Sequence, residues 1–235
     1  MPAPAALAVA LASLVLLLHG RRFGLWPRPP VVAEGAARHR HFARLALRSL
    51  VHFGLVAALL LAAGGQLSAV ATFPATLLPA RTLAFAAFGQ PSWWLLVAGA
   101  LAGAAIATIV ERRGRRVGLG RVGAVTPARR AELGWGVLLA LEAGLTEELF
   151  FRLLLPLLIA QVSGSALLGV GAATLLFGYA HHYQGIVGVA GTLVAGMLLA
   201  LVYLLSGELW AAMLVHAAID LNGLVLRPLL TRRVR

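Results

Sequence analysis

The chain contains no cysteine and no lysine. Without thiols there is no disulfide framework, no thiolate nucleophile and no Cys-ligated zinc or iron–sulfur site, so any metal would rest on His and carboxylate ligands. Acids are scarce as well: Glu34, Glu111, Glu132, Glu142, Glu147, Glu148, Glu208 and Asp220 complete the set. Charged residues make up 12% of the 235 positions, against roughly 25% in an ordinary soluble domain. Hydrophobic residues fill 60%, which excludes a disordered chain and leaves no case for a water-soluble globule. The composition is that of an integral membrane protein, in which the few charges are the informative residues.

What is abundant is apolar length. A spanning helix needs about 20 mainly apolar residues, and seven stretches meet or approach that length: 3–19, 47–66, 92–110, 134–160, 163–182, 186–205 and 208–226. The first has Arg21 and Arg22 after its apolar run rather than before it, so it reads as a retained span and not a signal peptide. Between the second and third lies 67–91, broken by Pro74 and Pro79, which reads as a membrane-surface or re-entrant segment. Thr126-Pro127 has the form of a helix start, Thr as N-cap and Pro at the first helical position.

The arginines orient these spans. All 20 basic residues are Arg, giving a formal net charge of +12. Seven lie in 20–48, seven in 111–134 and four at the C-terminus, so 18 fall on one side if seven spans alternate. Arg81 alone stands on the other side, and Arg152 lies within a span. The positive-inside rule then places the N-terminus outside and the C-terminus in the cytoplasm. These basic blocks read as juxtamembrane anchors for anionic lipid, and a nucleic-acid partner is not expected. The expected fold is an all-α, polytopic transmembrane helix bundle of seven spans, or eight if 67–91 re-enters. It divides into N-terminal spans and basic loops over 1–126 and a functional core over 127–235.

An ionisable group at the bilayer centre costs about 2.5–3.5 kcal/mol on insertion scales and is functional by default. Ionisable and polar groups cluster in three of the apolar segments: Glu142, Glu147, Glu148 and Arg152; His181 and His182; His216, Asp220 and Asn222. His52, alone in the second span, reads as an interfacial residue, and so does His182. Glu148 and Arg152 are four apart and share a helix face, while Glu147 points about 100° away. One carboxylate is thus neutralised by Arg152 and the other is left to face a cavity. Phe177 and His181 share a face in the same way, as do His216 and Asp220. A carboxylate one turn from a His can fix its tautomer and support an imidazolium. Read alone, the fourth helix already favours function over a structural ion pair, whereas the His216–Asp220 pair is read as well by a structural hydrogen bond; the three helices together favour a site. His181 lies much shallower than Glu147 and His216, so either the fifth helix continues past His182 or a water-filled cavity opens from the cytoplasm.

The ordered elements Glu147-Glu148-x-x-x-Arg152, Phe177-x-x-x-His181 and His216-x-x-x-Asp220 resemble the CPBP family (CAAX proteases and bacteriocin-processing enzymes, also called Abi) of intramembrane proteases. The resemblance covers roughly 135–225, by helix spacing, and makes 127–235 a CPBP-like catalytic core. It implies that Glu147 is the general base that activates water and that His181 helps to hold that water. It implies a supporting Glu148–Arg152 ion pair, and an oxyanion held by His216 and the residue four later. That residue is Asp220 here, whereas the best-known prenyl-protein endopeptidases have Asn. An ionised Asp cannot donate a hydrogen bond, so Asp220 either orients His216 or is held protonated. The favoured reading needs no cofactor, only water activated by Glu and His. Zinc on Glu147, His181 and His216 is the alternative.

The function expected is an intramembrane endopeptidase acting on a membrane-associated protein or peptide, with its active site accessible from the cytoplasmic side. The Arg-only, Ala/Leu/Gly-heavy composition points to a GC-rich bacterial genome and the bacterial inner membrane. Processing or sorting of tethered peptides, or immunity to a bacteriocin, fits such a setting better than cleavage of prenylated proteins. Two other classes compete: a proton-coupled transporter or channel using the same carboxylates as a relay, and a non-catalytic membrane scaffold. The first predicts inverted repeats, and none is visible in the sequence.

Overall fold

The computed structural model describes residues 35–89, 93–114 and 123–231. The apolar stretch 3–19 lies outside them, as do Glu34, Arg21, Arg22, Arg28, Arg115, Arg116, Arg121, Arg232, Arg233 and Arg235.

Among the described residues the fold is helical, without strands. We number its helices α1 to α7. α1 is Ala36–Ala63, α2 Leu78–Phe88 and α3 Trp93–Arg112. α4 runs from Leu133–Glu148 through a wide π-turn, Leu149–Leu154, into Leu155–Ser163. α5 is Ala166–Ala180, α6 Ile186–Ser206 and α7 Leu209–Leu230. α1, α3, α6 and α7 are long and apolar enough to cross a membrane. α4 is long, but it carries four charged residues, Glu142, Glu147, Glu148 and Arg152, the last two of them buried. With 15 residues, α5 falls short of the span expected at 163–182. The segment 67–91 yields two short 3₁₀ turns and the 11-residue α2, too short to cross.

The π-turns of α4 and α7 each precede a proline. Pro156 cannot donate to the carbonyl four residues back and its ring crowds that carbonyl. The preceding turn Leu149–Leu154 is where the helix absorbs the misfit without breaking. Asn222–Leu226 does the same ahead of Pro228. The later helices form tight antiparallel hairpins. α4 ends at Gly164 with φ 72°, and Ser165 caps α5, its hydroxyl oxygen accepting the Leu168 N–H at 3.3 Å.

Thr126-Pro127 does not start α4; the helix begins at Leu133, after a 3₁₀ turn over Arg130–Glu132. The Glu132 carboxylate accepts the Ala128 N–H at 2.8 Å, and the Thr126 carbonyl accepts from Arg38 at 2.6 Å. The cap is therefore a side chain downstream of the expected start, and Thr126 serves α1 instead. Arg38 also pairs with Glu132 at 2.7 Å, Trp135 Nε1 donates to His39 Nδ1 at 2.7 Å, and Arg227 pairs with Glu111. These contacts gather the starts of α1 and α4 with the ends of α3 and α7, so the arginine-rich ends described here share one end of the bundle. At the opposite end Arg81 lies over Phe73 and Phe85 and against Gly207, where a Cβ would meet its guanidinium at 2.6 Å.

An aromatic string runs through the core: Phe53, Phe150, Phe151 and Phe177, with successive ring centroids 5.1–5.2 Å apart. The outside is apolar too. Leu95, Val194 and Ile186 are 74%, 71% and 83% exposed, which fits a surface that faces lipid.

Candidate active site

α4 presents its two adjacent glutamates to different neighbours. Glu148 is fully buried, and its Oε1 accepts the Nδ1–H of His216 on α7 at 2.8 Å. Its Oε2 lies 3.2 Å from Arg152 Nε, an ion pair without hydrogen-bond alignment. Glu147 turns toward α5, where its Oε2 stands 3.8 Å from His181 Nε2. That is too long for a hydrogen bond and short enough for one water to touch both. No described group hydrogen-bonds to Glu147 Oε2, although that atom is buried.

α5 places His181 by stopping short. The helix ends at Ala180, a turn over His182–Gln184 follows, and Gly185 at φ 81° starts α6. The helix does not continue past His182. At 1.5 Å per residue α5 is about 22 Å long, so it ends beside the middle of α4, level with Glu147. His181 Nδ1 lies 2.9 Å from the Phe177 carbonyl. A carbonyl only accepts, so the proton sits on Nδ1 and the neutral ring turns its Nε2 lone pair to Glu147. Phe177 is the hub: its ring is 4.8 Å from that of His181 and 5.8 Å from that of His216, and the Arg152 guanidinium covers it at 4.3 Å.

On α7, His216 Nε2 is 3.6 Å from Asp220 Oδ2. With a carboxylate toward each nitrogen, the ring is suited to the doubly protonated form. The sequence suggested Asp220 as the orienting partner of His216. The shorter contact comes instead from Glu148, 68 residues away. Close packing of α4 on α7 makes this possible, since a Cβ on Gly144 would meet Ala217 N and Met213 O at 2.9 Å.

Exposure separates the cluster into two layers. The side chains of Glu147, His181 and Asp220 are 13%, 16% and 34% exposed, whereas those of Glu148 and Arg152 are 0% and 2%. The first three can meet another molecule; the other two hold the frame. Of the other polar residues singled out in the sequence, Glu142 bonds Thr146, Thr146 touches Ser49 of α1, and Asn222 ties α7 to Thr108 and Ala104 of α3. His182 Nδ1 bonds the Tyr179 carbonyl outside the cluster, and His52 sits in the π-turn of α1. Tyr183, whose ring lies 6.0 Å from that of His181, was not singled out. That it is one of only three tyrosines, two residues after His181, was the signal available.

Among the described residues no three His, Asp or Glu side chains converge as a metal-ligand set. His216 gives Nδ1 to Glu148 and turns Nε2 to Asp220, so it does not join Glu147 and His181 around a common centre.

Four spanning-length apolar helices around a carboxylate–histidine–arginine cluster define a membrane protein with a buried polar centre. Residues 129–222 match the family described as type II CAAX prenyl endopeptidase Rce1-like. Over that segment the chain is similar to this family, a protease family of the CPBP group, as the three motifs suggested. No curated protein and no solved structure is significantly similar to the chain.

Proposed function

We propose that the protein is an intramembrane endopeptidase that hydrolyses a peptide bond of a membrane-associated protein or peptide. The observation that carries this reading is the facing pair Glu147 Oε2 and His181 Nε2, 3.8 Å apart and not bonded to each other. A water between them meets a carboxylate that takes its proton and an imidazole lone pair that fixes its direction. As its oxygen bonds to the scissile carbonyl carbon, the carbonyl electron pair moves to oxygen, and His216 stabilises that charge. When the C–N bond breaks, Glu147 returns the proton to the leaving amine. Glu148 and Arg152 hold His216 and Phe177 in place and do not touch substrate. The positive-inside rule puts the arginine-rich end in the cytoplasm, so the site is reached from that side, in a bacterial inner membrane. The motif-bearing 127–235 forms the catalytic core, and water is activated without a metal.

The test is Glu147→Gln in liposomes, with a pool of quenched-fluorescence peptides randomised around the cleavage region and anchored by a farnesyl or palmitoyl chain. Cleavage falls by more than about a thousandfold if a positioned base is removed. Cleavage at the wild-type rate by the Gln variant overturns the reading.

A further inference from the structure

Arg38, Arg152 and Arg227 each have a carboxylate beside them. Arg81, at the other end of the bundle, has none among the described residues, although it is partly buried. Its Nε is enclosed without a hydrogen-bond partner. The acid nearest in sequence to its resting place is Glu208, directly after Gly207. That carboxylate turns away and accepts the Trp210 indole N–H at 3.0 Å. An enclosed cation without a counter-charge is unfavourable, so a partner from outside the chain is called for.

The guanidinium is nonetheless held in a fixed seat. Its carbon stands 4.8 Å from the centre of the Phe73 ring and 5.3 Å from that of Phe85. On a third side lies Gly207, whose φ of 76° closes α6; a Cβ there would meet Nη2 at 2.6 Å and Nη1 at 3.0 Å. Aromatic faces attract a guanidinium but give its N–H fork no oxygen to bind. Tryptophans set the depth independently. Trp93 and Trp94 open α3 and Trp210 stands in the first turn of α7, so all three lie at the end that holds Arg81. Trp94 and Trp210 are exposed. Exposed tryptophans at the ends of apolar spanning helices sit at headgroup level, and the anion met at that level is a phosphodiester.

We propose that Arg81 is a binding site for one phospholipid, its guanidinium donating to the oxygens of the headgroup phosphodiester. A planar fork suits phosphate oxygens, which accept through parallel N–H bonds. The bound phosphate supplies the counter-charge that Glu132 gives Arg38 and Glu111 gives Arg227 at the arginine-rich end. The inference does not depend on the protease reading.

The experiment takes wild type, Arg81→Met and, as an exposed arginine of the other end, Arg44→Met from vesicles of phosphatidylcholine and phosphatidylglycerol. Each is washed stepwise in detergent, and retained lipid is counted by native mass spectrometry. Wild type and Arg44→Met keep one phospholipid through washes that strip Arg81→Met, whose affinity for it is at least about tenfold weaker. Thermal unfolding separates binding from bracing. In lipid-free detergent Arg81→Met unfolds at or above the wild-type temperature, because it removes a charge that lacks a partner. Added phospholipid then raises the melting temperature of wild type and not of Arg81→Met; diacylglycerol, which has no phosphate, raises neither. Equal retention by wild type and Arg81→Met, or a variant less stable by the same margin with and without phospholipid, overturns the inference and leaves Arg81 as a cation–π brace. A wild type stabilised as much by inorganic phosphate alone overturns the lipid as the ligand. A wild type whose melting temperature ignores phospholipid overturns the site whether or not the variant folds.

Discussion

Arg152 and Glu148 are the most enclosed charges described, 2% and 0% exposed, and their removal gives a quantitative test of the frame. Replacing Arg152 with Met keeps an unbranched chain of similar length but leaves Glu148 buried beside His216 alone. Breaking a buried pair by deleting one partner costs about 3–5 kcal/mol, because the remaining charge loses its compensation. Glu148 keeps the 2.8 Å contact from His216, which places Arg152→Met at the lower end, about 3 kcal/mol. Glu148→Gln strands two partners, Arg152 and His216, and belongs at the upper end, about 5 kcal/mol. The double variant no longer strands Arg152 and leaves only His216 without its carboxylate, so its cost falls short of the sum of the singles by about 2–3 kcal/mol. The assay is SDS-titrated unfolding in mixed micelles, followed by near-ultraviolet circular dichroism for all four proteins. Single variants within about 1 kcal/mol of wild type, or a double variant equal to the sum of its parts, refute the reasoning. Either result would mean that water or lipid headgroups reach Arg152.

Two further outcomes follow from the packing and from the arginine-rich end. Gly144→Ala forces α4 away from the backbone of α7, for about 1–3 kcal/mol, and pulls Glu148 from His216. Gly169→Ala strains the α4–α5 crossing at Pro156 instead; at equal folded amount, the position 144 variant loses far more cleavage, and equal losses would sink the argument. Glu132 lies outside the spans; burial raises its pKa, but the Ala128 N–H, the Arg38 guanidinium and the Arg129 N–H together outweigh burial and lower it. A depressed carboxylate contributes stability that is full above its ordinary value and fades as pH falls through the folded-state value. Glu132→Gln therefore lowers the melting temperature near neutrality, and its difference from wild type shrinks on acidification; a gap constant with pH contradicts this.

Apolar length and helix-face spacing carry far in this sequence, and they stop at tertiary contacts. The stretches 92–110, 186–205 and 208–226 become Trp93–Arg112, Ile186–Ser206 and Leu209–Leu230, because long apolar runs have no competing local structure. The pairings four apart, Glu148–Arg152 and His216–Asp220, are equally local and appear at 3.2 and 3.6 Å. The Glu148–His216 bond joins residues 68 apart, and periodicity names a face without naming what it meets. The π-turns are silent for a related reason: a one-residue widening leaves no side-chain period to read. At 126–127 a capping pattern was present but lost to Glu132, whose carboxylate satisfies the same N–H groups from downstream. Nothing in 163–182 distinguishes a helix that ends at Ala180 from one that crosses.

The shortness of α5 bears on the bilayer as much as on the site. A hydrocarbon core of about 30 Å exceeds an apolar helix of about 22 Å by roughly 8 Å. Mismatch on that scale is relieved by local thinning at fractions of a kcal/mol per Å. The uncovered depth falls on the side where α5 ends, and α4 runs on from Glu147 to Leu133 for about another 21 Å. Thinning of this kind would be greatest in front of the two groups that face each other across 3.8 Å. Under the proposed reading, such thinning would let a polypeptide at the membrane surface meet the Glu147 carboxylate without being drawn across the bilayer.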